Sequence, residues 1–165
     1  MSYILTLRLD NEAQAFFDAQ RLTYFPPERN FLNAHLTLFH KLSEHKDTIQ
    51  TLDEIKVQSF FLEVSGFKFL GRGVAYQVES DVLNKLHDKL VNRFKAILIP
   101  QDKQGFRPHI TIQNKVEPDE AKALLEQLQQ NFQPFKIKGL GLDLWSYLGG
   151  PWAHLKFFPF EELQP

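Results

Sequence analysis

Two short segments of the sequence share one pattern of residues that could do chemistry. Residues 35–38 read HLTL and residues 109–112 read HITI, so each is His-aliphatic-Thr-aliphatic. Successive side chains of a β-strand point to opposite faces, which puts the His and the Thr of each segment on one face, roughly 6.6 Å apart along the strand. An imidazole and a hydroxyl at that spacing can contact different atoms of one small tetrahedral group.

The two copies together suit an in-line displacement at phosphorus. If a pseudo-twofold axis places them face to face, one imidazole of His35 and His109 can take a proton from the attacking oxygen while the other protonates the leaving oxygen. The hydroxyls of Thr37 and Thr111 can donate to the non-bridging oxygens, where the transition state holds negative charge. This scheme requires no metal and no other cofactor, and the symmetry leaves open which His is the base.

The elements around the motifs repeat in the same order. Each half of the chain predicts a strand, a helix, a motif strand, a second helix and a pair of strands. The predicted helices are capped by Asn11, Ser43 and Asp81 or begin at Pro118, and the stretch PQDKQG over residues 100–105 predicts a loop. A single His-aliphatic-Thr string arises often by chance as a structural feature, but two copies at equivalent places favour a shared site.

We therefore predict an α+β fold of two pseudo-twofold-related lobes, each an antiparallel-rich sheet with flanking helices, around a central cleft. Residues 1–165 form one bilobal domain, with approximate lobes 1–73 and 74–165 between which strands can be exchanged.

The composition excludes several classes of protein. The 165 residues carry a formal net charge of -1, which gives no long-range attraction to nucleic acid of the kind that a strongly basic domain exerts. There are no cysteines, so disulfides, thiolate zinc sites and a Cys nucleophile are excluded. The N-terminal residues lack the pattern of a signal peptide and no run of about 18 apolar residues occurs, so we expect neither a signal peptide nor a transmembrane helix. We expect a cytoplasmic monomer, with no membrane contact and no indicated protein partner.

With these motifs in a duplicated α/β chain of this length, the sequence resembles the 2H (two-histidine) phosphoesterase superfamily. The most similar branch is the 2′-5′ RNA ligase-like group, which includes RNA cyclic phosphodiesterases. The specific part of the resemblance is the eight motif residues and the RPH that leads into the second motif. It implies a metal-independent enzyme that opens 2′,3′-cyclic phosphates or cleaves 2′-5′ linkages in RNA ends or small nucleotides. It also implies that His35 and His109 are the acid and base, and that Thr37 and Thr111 are phosphate ligands.

One departure from the family concerns the substrate. Many relatives carry an Arg shortly after the second motif, where this chain has QNK. Contacts to the RNA end therefore differ, and three other residues are candidates for substrate binding. Arg107 shares the strand parity of His109 and can reach a phosphate, and Trp152 and Tyr147 flank GGP and can stack on a base.

The remaining histidines and cations are weaker candidates. His154 shares a face with Trp152, whereas His40 has the opposite parity to His35 and is expected outside the site. His45 and His87 fall on predicted helices and are expected at the surface. The cations Lys41, Lys115 and Arg72 are expected to be solvated at strand ends or in a turn.

Other functions remain open at the level of sequence. The same site could run 2′-5′ ligation, the reverse reaction, although no P-loop motif indicates ATP-driven ligation. A non-catalytic module that binds RNA ends or nucleotides would keep the cleft without needing an acid-base pair. A metal site on the histidines lacks carboxylates within either motif and has no His-Glu-x-x-His string.

Overall fold

The computed structural model describes residues 2–162, which form five α-helices, a short 3-10 helix and seven strands. In chain order the elements are β1 (Ser2–Leu9), α1 (Asn11–Tyr24), the 3-10 helix (Pro27–Arg29), β2 (Leu36–Ser43), α2 (Lys46–Asp53), β3 (Phe60–Phe69), β4 (Val74–Glu79), α3 (Asp81–Phe94), α4 (Pro100–Lys103), β5 (His109–Gln113), α5 (Pro118–Gln129), β6 (Phe135–Tyr147) and β7 (Ala153–Pro159). Within the described residues, no helix combines the length and the apolar character needed to cross a membrane.

The strand order of the sheet has the same twofold repetition as the order of elements along the chain. The order is β2-β1-β6-β3-β4-β5, with β7 added to β6, and every pair of strands is antiparallel. When β1, β2 and β3 are exchanged with β4, β5 and β6, the order reads the same backwards. This is the α+β fold with pseudo-twofold symmetry that the repeated element order predicts.

The long strand β6 joins the two parts of the sheet. Its first residues, 135–139, pair with β3, and residues 139–147 pair with β1. Gly139 and Gly141 keep this junction narrow, since a Cβ at Gly141 would lie 2.5 Å from the carbonyl oxygen of Phe158 on β7. β3 and β4 pair with each other, although the predicted boundary between the two lobes, after residue 73, falls between them in sequence. The limits of the two lobes stay a prediction.

The helices pack beneath the motif strand of the other half of the chain. Helix α1 follows β1 but packs on β5, while α3 follows β4 and packs on β2 through a ring contact between Phe94 and Phe39. An aromatic cluster fills the space under β3, β4 and β5; its members are Phe16, Phe17, Phe67, Tyr76, Phe132 and Phe135. Each motif strand therefore has a buried face that rests on a helix from the other half.

The helix starts correct the predicted caps. Asp10 caps α1, its carboxylate accepting from the Ala13 N–H at 2.9 Å, and Ser80 caps α3 through the Leu83 N–H at 3.0 Å. His45 caps α2, so the predicted caps at Asn11, Ser43 and Asp81 are wrong by one or two residues. A cap lies outside the helical backbone, and here it is the residue just before the first helical one. Pro118 opens α5 as predicted, whereas the predicted loop 100–105 contains α4.

Candidate functional site

The two motif strands lie at opposite ends of the strand order and yet contact each other. β2 and β5 form no ladder together, but the sheet bends so that these two end strands pack side by side. His109 and Thr111 lie on β5. Thr37 lies on β2, and His35 is the residue immediately before the first residue of β2. The fold thus brings the two motifs to one region.

The alternation within each motif separates a buried face from a partly exposed face. The aliphatic residues are buried, with exposed fractions of 2% or less at Leu36, Leu38, Ile110 and Ile112. The four His and Thr residues are half-buried. The apolar positions hold each strand on its helix, and the polar positions lie on the opposite, less buried face.

Both catalytic candidates are held in the same way. Nδ1 of His35 lies 2.8 Å from the carbonyl oxygen of Asn33, and Nδ1 of His109 lies 2.9 Å from that of Arg107. In each case the partner is the residue two positions earlier. A carbonyl oxygen only accepts, so Nδ1 carries the hydrogen in both rings. The Nε2 atoms are therefore the ones available to exchange a proton with a substrate.

Burial and nearby charge keep both imidazoles neutral near pH 7. Burial lowers the pKa of His35 to about 4, and the positive charge of Arg21 acts in the same direction. Burial also lowers the pKa of His109, and the ammonium of Lys68 contributes. An anion bound between the rings would reverse this balance by favouring a protonated imidazole.

The cavity on the His35 side is aromatic. It measures about 400 Å³, and its walls include Phe31, Trp145 and Trp152. The indole of Trp152 packs against the imidazole of His35, with ring centroids 4.6 Å apart, and so shields that ring from water. Aromatic faces at this position can stack on a nucleobase.

A network of polar groups lies beside this aromatic cavity. Asp143 accepts from Nε and Nη2 of Arg8 at 3.0 and 2.7 Å, and its Oδ1 lies 2.8 Å from Nε2 of His154. The Trp145 indole N–H donates to the Thr6 hydroxyl at 2.9 Å. The positive charge of Arg8 is thus paired with the negative charge of the buried Asp143 carboxylate. The bond to Thr6 fixes the orientation of the Trp145 indole.

The cavity on the His109 side is rich in cations. It measures about 370 Å³ and is lined by Thr37 and His109 together with His40, Lys68 and Arg107. His40 was expected outside the site, and this expectation is wrong. β2 contains an extra residue between Thr37 and Phe39, since their partners on β1 are the consecutive residues Thr6 and Leu5. This β-bulge reverses the alternation and turns His40 to the face of Thr37.

The substrate-binding candidates lie in different surroundings. Arg107 lines the cationic cavity and Trp152 the aromatic one. Tyr147 is 42% exposed and lines neither, and Thr111 lies on β5 without lining either of them. The carbonyl of Thr111 accepts from the buried Arg21 guanidinium at 3.1 Å, which ties β5 to α1.

Two residues that sequence reasoning left out or misplaced support the site. Asp102, on α4, binds the imidazole and backbone of His40. His87 is 3% exposed rather than at the surface, and its ring is stacked between Phe39 and Phe106 while Nε2 lies 3.2 Å from the Leu38 carbonyl. Burial lowers the pKa of His87, so the neutral ring packs like an aromatic residue. Within residues 2–162, no group of three or more His, Cys, Asp or Glu side chains is placed to hold a metal ion.

Comparison with known proteins supports this description of the fold. The family model for the 2′-5′ RNA ligase superfamily matches residues 9–151. No curated protein matches the chain in sequence.

Solved structures resemble the chain over nearly its whole length. The protein TT0787 of Thermus thermophilus has a TM-score of 0.64 at 17% identity, covering 96% of this chain and 97% of its own. Escherichia coli LigT complexed with 3′-AMP has a TM-score of 0.63 at 20% identity, covering 96% and 97%. A structure described as a phosphoesterase has a TM-score of 0.63 at 21% identity, covering 97% and 98%. These similarities show the fold, and the match over most of the sequence shows that the chain belongs to the 2′-5′ RNA ligase superfamily.

Proposed function

We propose that this protein is a metal-independent phosphodiesterase that acts on 2′,3′-cyclic phosphate or 2′-5′-linked RNA ends by paired histidine acid-base catalysis. The observation that carries the proposal is the matched anchoring of the two imidazoles. His35 and His109 each donate Nδ1–H to the carbonyl two residues earlier, so that two Nε2 atoms are left to exchange protons.

The chemistry needs one neutral and one protonated imidazole. In the free protein both pKa values are lowered, so both rings are neutral near pH 7. A bound phosphodiester brings a negative charge that favours protonation of one ring. The neutral Nε2 then takes the proton of the attacking oxygen, and the protonated Nε2–H delivers one to the leaving oxygen. Thr37 and Thr111 donate to the non-bridging oxygens.

Two kinds of observation support a nucleotide as the substrate. The aromatic cavity beside His35 offers Trp152 and Trp145 for stacking on a base. LigT, whose fold this chain shares, has been solved with 3′-AMP, with NADP+ and with ATP. The reverse reaction, 2′-5′ ligation, passes through the same transition state and would use the same residues.

A substrate panel in the presence of chelator tests the proposal. It includes nucleoside 2′,3′-cyclic phosphates, oligonucleotides ending in a cyclic phosphate and 2′-5′ dinucleotides. We expect His35→Ala and His109→Ala each to lower the rate roughly 10² to 10⁴-fold, and the double variant to lose less than the product of the two effects. The matched control is His45→Asn, which removes an imidazole and keeps the cap of α2.

The pH profiles assign the roles and separate the alternatives. The wild-type profile should be bell-shaped, and the variant that lacks the base should lose the acidic limb. Nucleotide binding without turnover at any pH would replace the proposal with a binding module. Activity that chelator abolishes and added zinc or manganese restores would replace it with metal catalysis. Joined products from 2′-hydroxyl and cyclic phosphate ends would identify ligation.

A further inference from the structure

The cavity beside His109 is lined by more basic side chains than a single phosphodiester requires. It opens next to Thr37 and His109, and three further basic side chains line it: His40, Lys68 and Arg107. They come from three separate parts of the chain, namely β2, β3 and the segment before β5.

The orientation of His40 is set by a buried carboxylate. The Asp102 side chain is 1% exposed and accepts from Nδ1 of His40 at 3.0 Å, from the His40 N–H at 2.9 Å and from the Lys41 N–H at 3.0 Å. A carboxylate only accepts, so Nδ1 carries the hydrogen and Nε2 is the free nitrogen of a ring whose side chain is 45% exposed in the cavity. Asp102 also lines this cavity, but its carboxylate is buried and accepts these hydrogen bonds from β2.

Lys68 and Arg107 lack acidic partners. In the part of the chain that the structure describes, neither forms an ion pair, although Glu79 and Asp81 line a neighbouring cavity with them. The charge of Lys68 reaches His109 and lowers its pKa. On the opposite side of the cleft, Arg8 is matched by Asp143. Among the described residues that line the two cavities, the cations without an ion-pair partner therefore lie on the His109 side.

We propose that His40, Lys68 and Arg107 form a subsite for a second phosphate group, next to the one that is cleaved. This inference rests on the proposed function and narrows its substrate class. The preferred substrate carries at least two phosphates, either as an oligonucleotide or as a diphosphate ester, and a mononucleoside cyclic phosphate leaves the subsite empty. The subsite breaks the symmetry of the cleft, with aromatic contacts on one side and a phosphate on the other.

Equilibrium binding tests the subsite without depending on turnover. We would measure the binding of inorganic phosphate and of pyrophosphate by calorimetry, with chelator present. Pyrophosphate should bind about tenfold more tightly than phosphate to the wild type, because its second phosphate would gain charge-assisted contacts with the subsite. His40→Ala and Lys68→Gln should each remove most of this advantage, and Lys122→Ala, an exposed Lys on α5, should keep it. Equal binding of the two anions, no binding of either, or an advantage kept in both cavity variants would overturn the proposal.

Steady-state kinetics distinguish whether the second phosphate belongs to an oligonucleotide or to a diphosphate ester. A 2′-5′-linked diadenylate is compared with versions that carry an added 5′- or 3′-phosphate. For an oligonucleotide substrate, one added phosphate should lower KM about tenfold in the wild type, with kcat unchanged, and His40→Ala should abolish the gain. A pyrophosphate preference without this gain identifies a diphosphate ester. If neither the dinucleotides nor the 2′,3′-cyclic phosphates are turned over, the proposed function fails, and the pyrophosphate comparison still decides whether the subsite exists.

Discussion

The pKa of His35 should depend on the indole that covers it. Burial is the largest cause that holds this pKa at about 4, roughly 2.5 pH units below the ordinary value of 6.5, and Trp152 packs on the ring at 4.6 Å. Trp152→Ala would open one side of the imidazole to water. We expect the pKa to rise by about one pH unit, equivalent to about 1.4 kcal/mol between the two protonation states.

The expected rise is smaller than the whole depression for a structural reason. Phe31, Leu32 and Ala34 still line the cavity after the substitution, and the positive charge of Arg21 still acts on the ring. The sign follows from the cause, because water stabilises the charged imidazolium and so raises a pKa that burial had lowered.

The assay is an NMR titration of the imidazole Cε1–H resonances, with His35 assigned by its loss in His35→Gln. Tyr147→Ala is the matched control, since it removes an aromatic ring that is 42% exposed and outside both cavities, and it should leave the pKa of His35 unchanged. A wild-type His35 that titrates near 6.5, or an unaltered pKa in Trp152→Ala, would refute this account of the electrostatics.

Three further predictions concern the hydroxyls, the pH dependence of stability and the polar network. Thr37→Val and Thr111→Val keep the shape and remove a donor, so kcat should fall about 10²-fold with Tm unchanged; full turnover in both variants would assign the hydroxyls to structure. The folded chain binds fewer protons than the unfolded chain between the lowered pKa values of His35 and His109 and 6.5. The free energy of unfolding should therefore rise with pH through this window, and urea titrations that gave a flat or falling dependence would contradict the lowered values. Asp143→Asn weakens the contacts to Arg8 and His154 and should lower the free energy of unfolding, measured by urea titration, by about 2 kcal/mol. An unchanged urea midpoint would show that solvent screens the network.

The motif strands could be predicted because their local pattern and the fold agree. The alternation of His35 and Thr37 with aliphatic residues is typical of a strand with one buried face, and the structure buries the aliphatic side chains. The repeated order of elements also predicts the symmetric sheet. The alternation and the repeated order each extend over many residues, so these predictions hold even where the predicted end of a helix or strand is wrong by one or two residues.

The position of His40 could not be predicted, because it depends on a single extra residue. Parity arguments assume a regular strand, and the β-bulge after Thr37 reverses the parity at Phe39 and His40, before a second irregularity between Phe39 and Leu42 restores it. Nothing in the letters LTLFHK marks the bulge. The pairing partner on β1 determines it, and this partner is known only from the structure.

Asp102 and His87 were missed or misplaced because their roles depend on long-range contacts. Asp102 lies in a polar stretch that resembles a surface loop, and its partners on β2 are about 60 residues away in sequence. His87 lies on an amphipathic helix, where a polar residue is expected to face solvent. Phe39 and Phe106 instead bury its ring, which is tolerated because Nε2 hydrogen-bonds to a carbonyl.

The exchange of helices between the halves has a consequence for how the chain folds. α1 must reach β5, about 90 residues further along, before its buried face is covered, as the bond from Arg21 to the Thr111 carbonyl illustrates. α3 depends in the same way on β2. The arrangement is that of a domain-swapped homodimer joined into one polypeptide. Neither half holds the partners for its own core, so separate fragments would have to associate in order to fold, and the cleft forms only when both halves are in place.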